Sequence, residues 1–293
     1  MRSLAEGKLI TAVILIAAVS FLISGCKKES DYIKYEYGVF LGEEPENISD
    51  MEEYNIIVID AQYFSSEQIA ELKSSNHTVY SYINIGSIEN FRPYYGEYED
   101  FTIGEYENWP EEKWVDVSEE KWQEFILDKL APEIFDKGVD GFFVDNVDVY
   151  YNYKNDEIFE GVTKILNGLK AYDAYVMING GDTYVMEYAK RYGNLDDIMD
   201  AVNQESVFSF INWDTKTFSA NSSEDRNYYQ NYIETVDSLG KDVYLLEYTT
   251  DKKLIQEISE YCSDKNFRYY AADNLELLIP KSDAGAQAVN SDY

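Results

Sequence analysis

The chain alternates short apolar runs with longer amphipathic stretches, and this alternation restricts its fold more than any other feature. Eight runs rich in Val, Ile, Tyr and Phe occur between residues 37 and 272, and each is followed by a helical stretch. Strands that alternate with helices form parallel sheets with the helices packed outside. Eight such units predict an α/β fold, a (β/α)8 TIM barrel, as a single domain.

The eight strands are predicted at residues 37–41, 56–59, 78–85, 142–144, 175–178, 201–203, 243–246 and 268–272. A doubly wound open sheet is the alternative fold for the same alternation. It is disfavoured because Leu41-Gly42-Glu43-Glu44, after the first strand, does not match the phosphate-binding loop G-x-G-x-x-G. A long excursion, 86–117, follows the third strand, and a stub of helix to Ile279 is expected after the eighth.

The fourth predicted strand is followed at once by polar residues. Asp145, Asn146 and Asp148 come directly after the apolar run 142–144. The carboxyl ends of parallel strands are where α/β barrels place their active sites. Asp145 can alternatively cap the next helix, and the sequence alone leaves both roles open.

Other predicted strands also end in polar residues, which a barrel brings to one rim. They are Asp60, Asn84, Gly86, Asn179, Gln204, Glu205, Glu247, Tyr248 and Asp273. His77 is the one histidine, and no G-x-S-x-G or H-E-x-x-H motif is present, which disfavours a serine triad or a zinc site. Paired carboxylates are typical of glycoside hydrolases. A magnesium site at Asp145 and Asp148 is the rival interpretation, because hard cations take oxygen ligands.

The charge of the chain restricts its partners. It carries 24 Lys and Arg against 56 Asp and Glu, a formal net charge of -32 at pH 7. Such acidity disfavours nucleic acid and anionic lipid surfaces as partners. It suits a cationic polymer bound in an acidic cleft, although charge spread over the outer helices for solubility is the alternative.

The N-terminus resembles an export signal. Arg2 and Lys8 precede the apolar stretch 9–23, which ends in Ile23-Ser24-Gly25-Cys26. This ending is similar to bacterial lipoprotein signals, in which the cysteine is lipidated and becomes the first mature residue. An uncleaved anchor helix is the alternative, but the stretch is shorter than the ~20 residues that usually span a bilayer.

The predicted organisation follows from these segments. Residues 1–26 form the signal peptide with lipidation at Cys26, 27–34 a polar tether, 35–280 the barrel and 281–293 a disordered tail. The domain is then a lipid-anchored monomer at the bacterial cell surface or the extracytoplasmic face of the membrane. Cys262 has no intramolecular partner and is expected in the core.

At the strand ends the chain resembles a known family. The stretch 80–92, YSYINIGSIENFR, is similar to the third-strand motif of glycoside hydrolase family 114, the endo-α-1,4-polygalactosaminidases and their bacterial relatives. The stretch 138–148, GVDGFFVDNVD, resembles the fourth-strand motif of that family. Asn179-Gly180 and Asn203-Gln204-Glu205 are similar to its fifth and sixth strand ends, so the resemblance covers roughly residues 37–279.

The resemblance implies a (β/α)8 barrel that hydrolyses α-1,4-linked galactosamine or N-acetylgalactosamine polymers without a cofactor. It implies Asp145 as the nucleophile, Glu205 as the acid/base, and retention through a covalent glycosyl-enzyme. The family often carries an acid directly after the third-strand glycine, where this chain has Ser87. We expect Asp145 to be ionised near neutral pH, and Glu205 to have a raised pKa from a less polar surrounding and from the Asp145 charge.

Substrate-binding residues are expected among the polar residues of the rim. They are Asp60, Tyr82, Asn84, Glu89, Arg92, Asn146, Asp148, Asn179 and Tyr248. Arg92 has a second possible role, in a structural ion pair with Glu89 or a loop acid. Trp109 and Trp114 can stack on sugar rings or anchor the long loop. A surface lipoprotein that binds carbohydrate on a barrel without catalysing its hydrolysis is the alternative function.

Overall fold

The computed structural model describes residues 33–74, 76–280 and 287–288. In chain order the strands are β1 (Tyr35–Phe40), β2 (Tyr54–Ile59), β3 (Thr78–Asn84), β4 (Ser87–Glu89), β5 (Thr102–Glu105), β6 (Glu112–Val115), β7 (Gly141–Asp145), β8 (Tyr175–Asn179), β9 (Ala201–Glu205), β10 (Ser209–Asn212), β11 (Thr217–Ala220), β12 (Asp242–Tyr248) and β13 (Arg268–Ala272). The helices are α1 (Ile48–Met51), α2 (Ser66–Lys73), α3 (Tyr95–Tyr98), α4 (Glu120–Phe125), α5 (Ala131–Phe135), α6 (Val149–Asn152), α7 (Asp156–Lys170), α8 (Asp182–Tyr192), α9 (Ser223–Ser238) and α10 (Lys252–Lys265). A π-helical segment, Ile126–Leu130, joins α4 to α5.

Eight of these strands form one parallel sheet in the order β1-β2-β3-β7-β8-β9-β12-β13. The last strand, β13, lies against β1, which brings the sheet close to a full circle. Helices follow the strands on the outside. The predicted (β/α)8 TIM barrel is therefore confirmed, and all eight predicted runs are strands of it.

Aromatic side chains fill the inside of the barrel. Tyr37 and Tyr270 are fully buried, and the ring of Tyr37 lies 4.8 Å from that of Tyr244. A barrel of eight strands has an interior just wide enough for side chains to fill. The interior below the rim is therefore packed, and binding is confined to the end of the barrel where the strands finish.

A local hydrogen-bond motif sets the start of α2. The Ser65 side chain accepts a hydrogen bond from the backbone of Gln68, whose side chain reciprocates, and this capping box begins α2. Cys262 is fully buried on α10, in agreement with its expected place in the core. The stub of helix after the last strand is a wrong prediction, because residues 273–276 form bends and turns and residues 277–280 are irregular. There Asn274 Oδ1 accepts a hydrogen bond from Leu278 N.

Two excursions carry structure that the periodicity did not predict. The segment 86–117 contains an antiparallel sheet in the order β4-β6-β5, and the segment between β9 and α9 contains the hairpin β10–β11. Both rise from the end of the barrel where the strands finish. They form the walls of the region described next.

Several sequence predictions fall wholly or partly outside the described residues. The signal peptide with Cys26, and the tether up to residue 32, lie outside them. Lys34 N already donates to Glu53 O at 2.8 Å, so the folded domain includes this residue. In the predicted tail, Ala288 bridges to Tyr35 of β1, and the rest of the tail apart from Gln287 lies outside the description. Within the described residues, no helix has the length and apolar character needed to cross a membrane.

Candidate active site

A cleft of about 1400 Å³ opens at the carboxyl-terminal end of the barrel. Asp145 at the end of β7, Asn179 at the end of β8, Glu205 at the end of β9 and Tyr248 at the end of β12 line it. Its volume exceeds the about 300–1,000 Å³ of typical small-molecule sites. The cleft therefore has room for a ligand of several units.

Asp145 and Glu205 face each other across one amide group. Nδ2 of Asn179 donates to Oδ1 of Asp145 at 2.9 Å and to Oε1 of Glu205 at 2.7 Å. Because both oxygens contact one nitrogen, they are at most about 5.6 Å apart, close to the about 5–5.5 Å of retaining glycosidases. This upper limit is shorter than the about 6.5–9.5 Å between the two carboxyl groups of inverting enzymes.

A buried hydrogen-bond chain fixes the orientation of the Asn179 amide. The Tyr37 hydroxyl donates to Asn203 Oδ1 at 3.0 Å, and Asn203 Nδ2 donates to Asn179 Oδ1 at 2.7 Å. The two carboxylates accept from Asn179 Nδ2, so the Asn179 oxygen faces Asn203 Nδ2 and the Asn203 oxygen faces the Tyr37 hydroxyl. The hydrogen bond from Tyr37 holds Asn203 in this orientation, and Asn203 in turn holds Asn179. Sequence reasoning found Asn179 but missed the two residues that orient it.

Burial raises the pKa of both carboxyl groups of the pair. The pKa of Asp145 is raised to about 6, mainly by burial and further by the charge of Glu205, against the hydrogen bond from Asn179. Burial also raises the pKa of Glu205, which is opposed by hydrogen bonds from Asn179 and from the Tyr248 hydroxyl at 2.9 Å. The pKa of Glu205 is therefore raised as expected, with burial as the main cause. The pKa of Asp145 is raised as well, for the same reason.

Arg92 lies in a buried ion-pair cluster, the second of the two roles that the sequence left open. Its Nη1 contacts Asp60 Oδ2 at 2.8 Å and its Nη2 contacts Glu89 Oε1 at 2.9 Å. The Tyr82 hydroxyl also donates to Glu89 Oε1, at 3.2 Å. All four residues line the cleft, but the charge of Arg92 is satisfied by its own neighbours. It therefore holds the two acids in place.

Glu112 is a buried acid of the site that sequence reasoning missed. Its Oε1 accepts from Asn84 Nδ2 at 2.9 Å and from Asn146 Nδ2 at 2.8 Å, and also from the Ser87 hydroxyl. Burial raises its pKa to about 7. Its only sequence signal is that it shares a strand face with the buried Trp114. Asn84 is bound into this cluster and is not among the residues that line the cleft.

Glycine allows the ends of β3 and β7 to meet behind this cluster. A Cβ at Gly86 would lie 1.8 Å from the carbonyl oxygen of Asn146. Asn146 itself has φ of 64°, a left-handed conformation that asparagine tolerates better than most residues. The backbone at these two positions brings the Asn146 amide within 2.8 Å of Glu112 Oε1.

Asp148 lines the cleft beside the start of α8. Its Oδ2 accepts from Gly181 N at 3.2 Å, and burial and the nearby Asp182 raise its pKa to about 7. Gly180 and Gly181 have φ of 66° and 70°, which explains the Asn-Gly-Gly sequence at this strand end.

Two strand-end acids of the sequence analysis, Glu247 and Asp273, are not among the residues that line the cleft. Glu247 does not line the cleft; its carboxylate is fully buried and accepts from Ser209 N at 2.8 Å and from Phe208 N at 2.9 Å. It therefore anchors the hairpin β10–β11. Among the residues that the structure describes, no three His, Cys, Asp or Glu side chains are grouped so as to hold a metal ion. The magnesium interpretation of Asp145 and Asp148 thus finds no matching cluster.

The chain is similar to a known protein family and to several solved structures. The family described as Glycoside-hydrolase family GH114 matches residues 28–289. The glycoside hydrolase domain of PelA from Pseudomonas aeruginosa has a TM-score of 0.73 at 13% identity, with 86% of this chain and 99% of that chain covered. Ega3 of Aspergillus fumigatus, solved in complex with galactosamine, has a TM-score of 0.66 at 19% identity, with 84% and 94% covered. No protein of curated function matches the sequence.

Proposed function

This chain belongs to glycoside hydrolase family GH114 and is a glycoside hydrolase, and we propose that Asp145 is its nucleophile and Glu205 its acid/base. The proposed substrate is a polymer of α-1,4-linked galactosamine or N-acetylgalactosamine. The observation that carries the assignment is the single amide nitrogen of Asn179, which contacts both carboxylates at the rim of the barrel.

In the first step Asp145 attacks the anomeric carbon of the bound sugar. The bond from that carbon to the glycosidic oxygen breaks, and Glu205 transfers its proton to the departing oxygen. The product of this step is a glycosyl ester on Asp145. Asn179 keeps one hydrogen bond to each carboxylate, so the pair holds its geometry while the charge moves from one to the other.

In the second step Glu205, now ionised, takes a proton from water. The water oxygen bonds to the anomeric carbon and the bond to Asp145 breaks, which restores both groups. The Tyr248 hydroxyl lies 2.9 Å from Glu205 Oε2 and can donate or accept. It therefore supports Glu205 in both of its protonation states.

The charge of the cleft supports an amino sugar as substrate. The acids that line it are Glu43, Glu44, Glu46, Asp60, Glu89, Glu111, Glu112, Asp145, Asp148, Asp182, Glu205, Asp214, Asp225 and Glu276. Of the described residues on this lining, Arg92 is the one Lys or Arg, and it is paired with Asp60 and Glu89. An acidic concave surface attracts cations and repels anions. Ega3, which has the same fold, is solved with galactosamine.

The sugar-binding roles divide between direct contacts and support. Tyr82, Glu89, Asp148, Asn179 and Tyr248 are proposed to contact the substrate, because they line the cleft with the catalytic pair. Asp60, which also lines the cleft, is likewise proposed to contact the substrate. Arg92, Asn146 and Asn84 are bonded to neighbouring side chains and are proposed to position those groups.

The test is digestion of galactosamine polymers of defined acetylation by the compact unit Asp31–Tyr293, followed by product analysis. Release of shorter oligosaccharides by the wild type, and not by Asp145→Asn or Glu205→Gln, supports the proposal. Cleavage of neutral or acidic glycans with no cleavage of the amino polymers contradicts the proposed substrate. Wild-type rates in either variant contradict the catalytic pair.

A further inference from the structure

Two tryptophans from different excursions meet at the mouth of the cleft. Trp109 lies in the loop between β5 and β6, and Trp213 lies in the turn of the hairpin β10–β11. Their rings contact edge to face, with centroids 5.8 Å apart and planes at 77°. Both side chains line the same cleft as Asp145 and Glu205. We call this pair the aromatic bridge.

The strand order shows which part of the mouth the bridge spans. One excursion leaves from β3 and the other from β9, and in the barrel β7 and β8 lie between these two strands. Asp145 ends β7 and Asn179 ends β8. A contact between the two excursions therefore spans the sector of the rim that holds the catalytic residues.

Each excursion is fixed at its base by a buried carboxylate. Glu112 holds the first through Asn84 and Asn146 at the ends of β3 and β7, and Glu247 on β12 holds the second through Ser209. The first is also tied down by Tyr106, whose hydroxyl donates to Asn146 Oδ1 at 3.0 Å. The bases are therefore rigid, and the bridge is held at a set place over the cleft.

The bridge tryptophans differ from the others in exposure. Trp114 and Trp122 are buried at 6% and 1% exposure, whereas Trp109 is 40% exposed and Trp213 is partly exposed. Lys216 Nζ lies 4.6 Å from the Trp213 ring centroid and packs on that ring. Large apolar groups left open on a concave surface mark a place where a ligand is bound. The flat face of an indole offers apolar area at low conformational cost.

We propose that Trp109 and Trp213 form an outer subsite, separate from the catalytic pair, which binds a pyranose ring of the polymer by stacking. The inference rests on the proposed function only in taking a polysaccharide as the ligand. The cleft is continuous from this pair to Asp145, so a chain bound at the catalytic pair extends to the bridge. The subsite acts on long substrates and leaves the reacting atoms untouched.

The experiment measures binding and cleavage separately in the full chain. Binding of galactosamine polymer, its N-acetylated form and neutral galactan is measured in the Glu205→Gln background, alone and with Trp109→Ala or Trp213→Ala. We expect each Trp change to weaken polymer binding about tenfold, the factor that about 1.4 kcal/mol produces. Trp109→Phe keeps an aromatic face and should recover most of the affinity. Tyr192→Ala is the control, because Tyr192 is 50% exposed but lies away from the cleft.

Kinetics with the wild-type catalytic pair complete the test. We expect both Trp→Ala changes to raise KM for long polymer about tenfold while kcat, and the rate on a substrate with one sugar and an activated leaving group, stay unchanged. Unchanged polymer affinity in both variants, with cleavage intact, overturns the subsite and leaves the proposed function standing. Trp-dependent binding of neutral galactan, with no binding or cleavage of the amino polymers, supports the subsite and contradicts the proposed substrate. If Trp109→Ala and Trp213→Ala weaken polymer binding no more than the control Tyr192→Ala does, the subsite is overturned.

Discussion

The carboxylates of Asp145 and Glu205 share one hydrogen-bond donor, Nδ2 of Asn179, at 2.9 Å and 2.7 Å. The sharing keeps the two bonded oxygens within about 5.6 Å of each other, below the about 6.5–9.5 Å of inverting glycosidases. It also means that a change in the orientation of one amide alters both carboxylates at once. Predictions about stereochemistry and about pH dependence follow from this arrangement.

The first prediction is that the product keeps the anomeric configuration of the substrate. Proton NMR of the first-formed product should show the α anomer before mutarotation. Glu205→Gln should lower the rate by about 10²–10⁴-fold, the usual contribution of a general acid or base. The deficit should be smaller for a substrate whose leaving group needs no proton. A β product contradicts the double displacement and the assignment of Asp145 as nucleophile.

The second prediction concerns Tyr37, which starts the hydrogen-bond chain to Asn179. Tyr37→Phe removes the donor that orients Asn203, so Asn179 is held less well. Since the Asn179 hydrogen bond lowers the pKa of Asp145, its weakening should move the acid limb of the pH–rate profile to higher pH. We expect kcat to fall about tenfold with little change in KM, an effect of about 1.4 kcal/mol on the barrier.

Tyr270→Phe is the matched control for this change. Tyr270 is also fully buried, and its hydroxyl has no hydrogen-bond partner within residues 33–74, 76–280 and 287–288. Removing it should leave the pH profile and kcat unchanged. Equal effects of the two substitutions mean that Tyr37 acts through packing, which contradicts the positioning role.

The strand-end positions of Asp145 and Glu205, the proposed catalytic pair, were predictable from the sequence, but the groups that support them were not. Asp145 follows an apolar run directly, Glu205 follows the short predicted strand 201–203 after Gln204, and a parallel barrel brings such strand ends to one rim. Tyr37 reads as one more core aromatic, because only the barrel's curvature shows that its hydroxyl reaches Asn203. Glu112 and Trp213 lie on excursions whose path back over the rim has no periodic signal.

The third prediction is that the fold is more stable at pH 5 than at pH 8. Burial raises the pKa of Glu112, Asp148 and Glu247 to about 7 and that of Asp145 to about 6. Carboxyls in an unfolded chain titrate near 4. The native state thus binds more protons between these values, and stability falls as pH rises through this window.

Thermal unfolding across this range measures the effect. The Tm should decrease from pH 5 to pH 8, and Glu112→Gln should make the decrease smaller because one titrating group is removed. A Tm that rises over the same range contradicts the prediction. An unchanged slope in Glu112→Gln shows that Glu112 does not contribute to it.

The fourth prediction concerns the N-terminal signal, which lies outside the described residues and is predicted from the sequence. Mass spectrometry of the membrane fraction should find a chain that begins at a lipid-modified Cys26. Cys26→Ala should move the protein out of that fraction and leave the activity of the barrel unchanged. An unmodified chain that retains Met1 contradicts the lipoprotein prediction.

The fifth prediction is that the enzyme prefers a cationic polymer and that salt reduces the preference. Acids dominate the lining of the cleft, and Arg92 is already paired, so the cleft is expected to concentrate a polymer with free amines. Exposed charges are screened over a Debye length of about 8 Å at physiological ionic strength. We expect kcat/KM to be higher for partially deacetylated than for fully acetylated polymer, with a ratio that shrinks as salt is raised.

Asp182→Asn, at the cleft but outside the catalytic pair, should lower the ratio at low salt more than at high salt. Equal rates on both polymers at every salt concentration contradict charge selection and leave the acidity as a property of the outer surface.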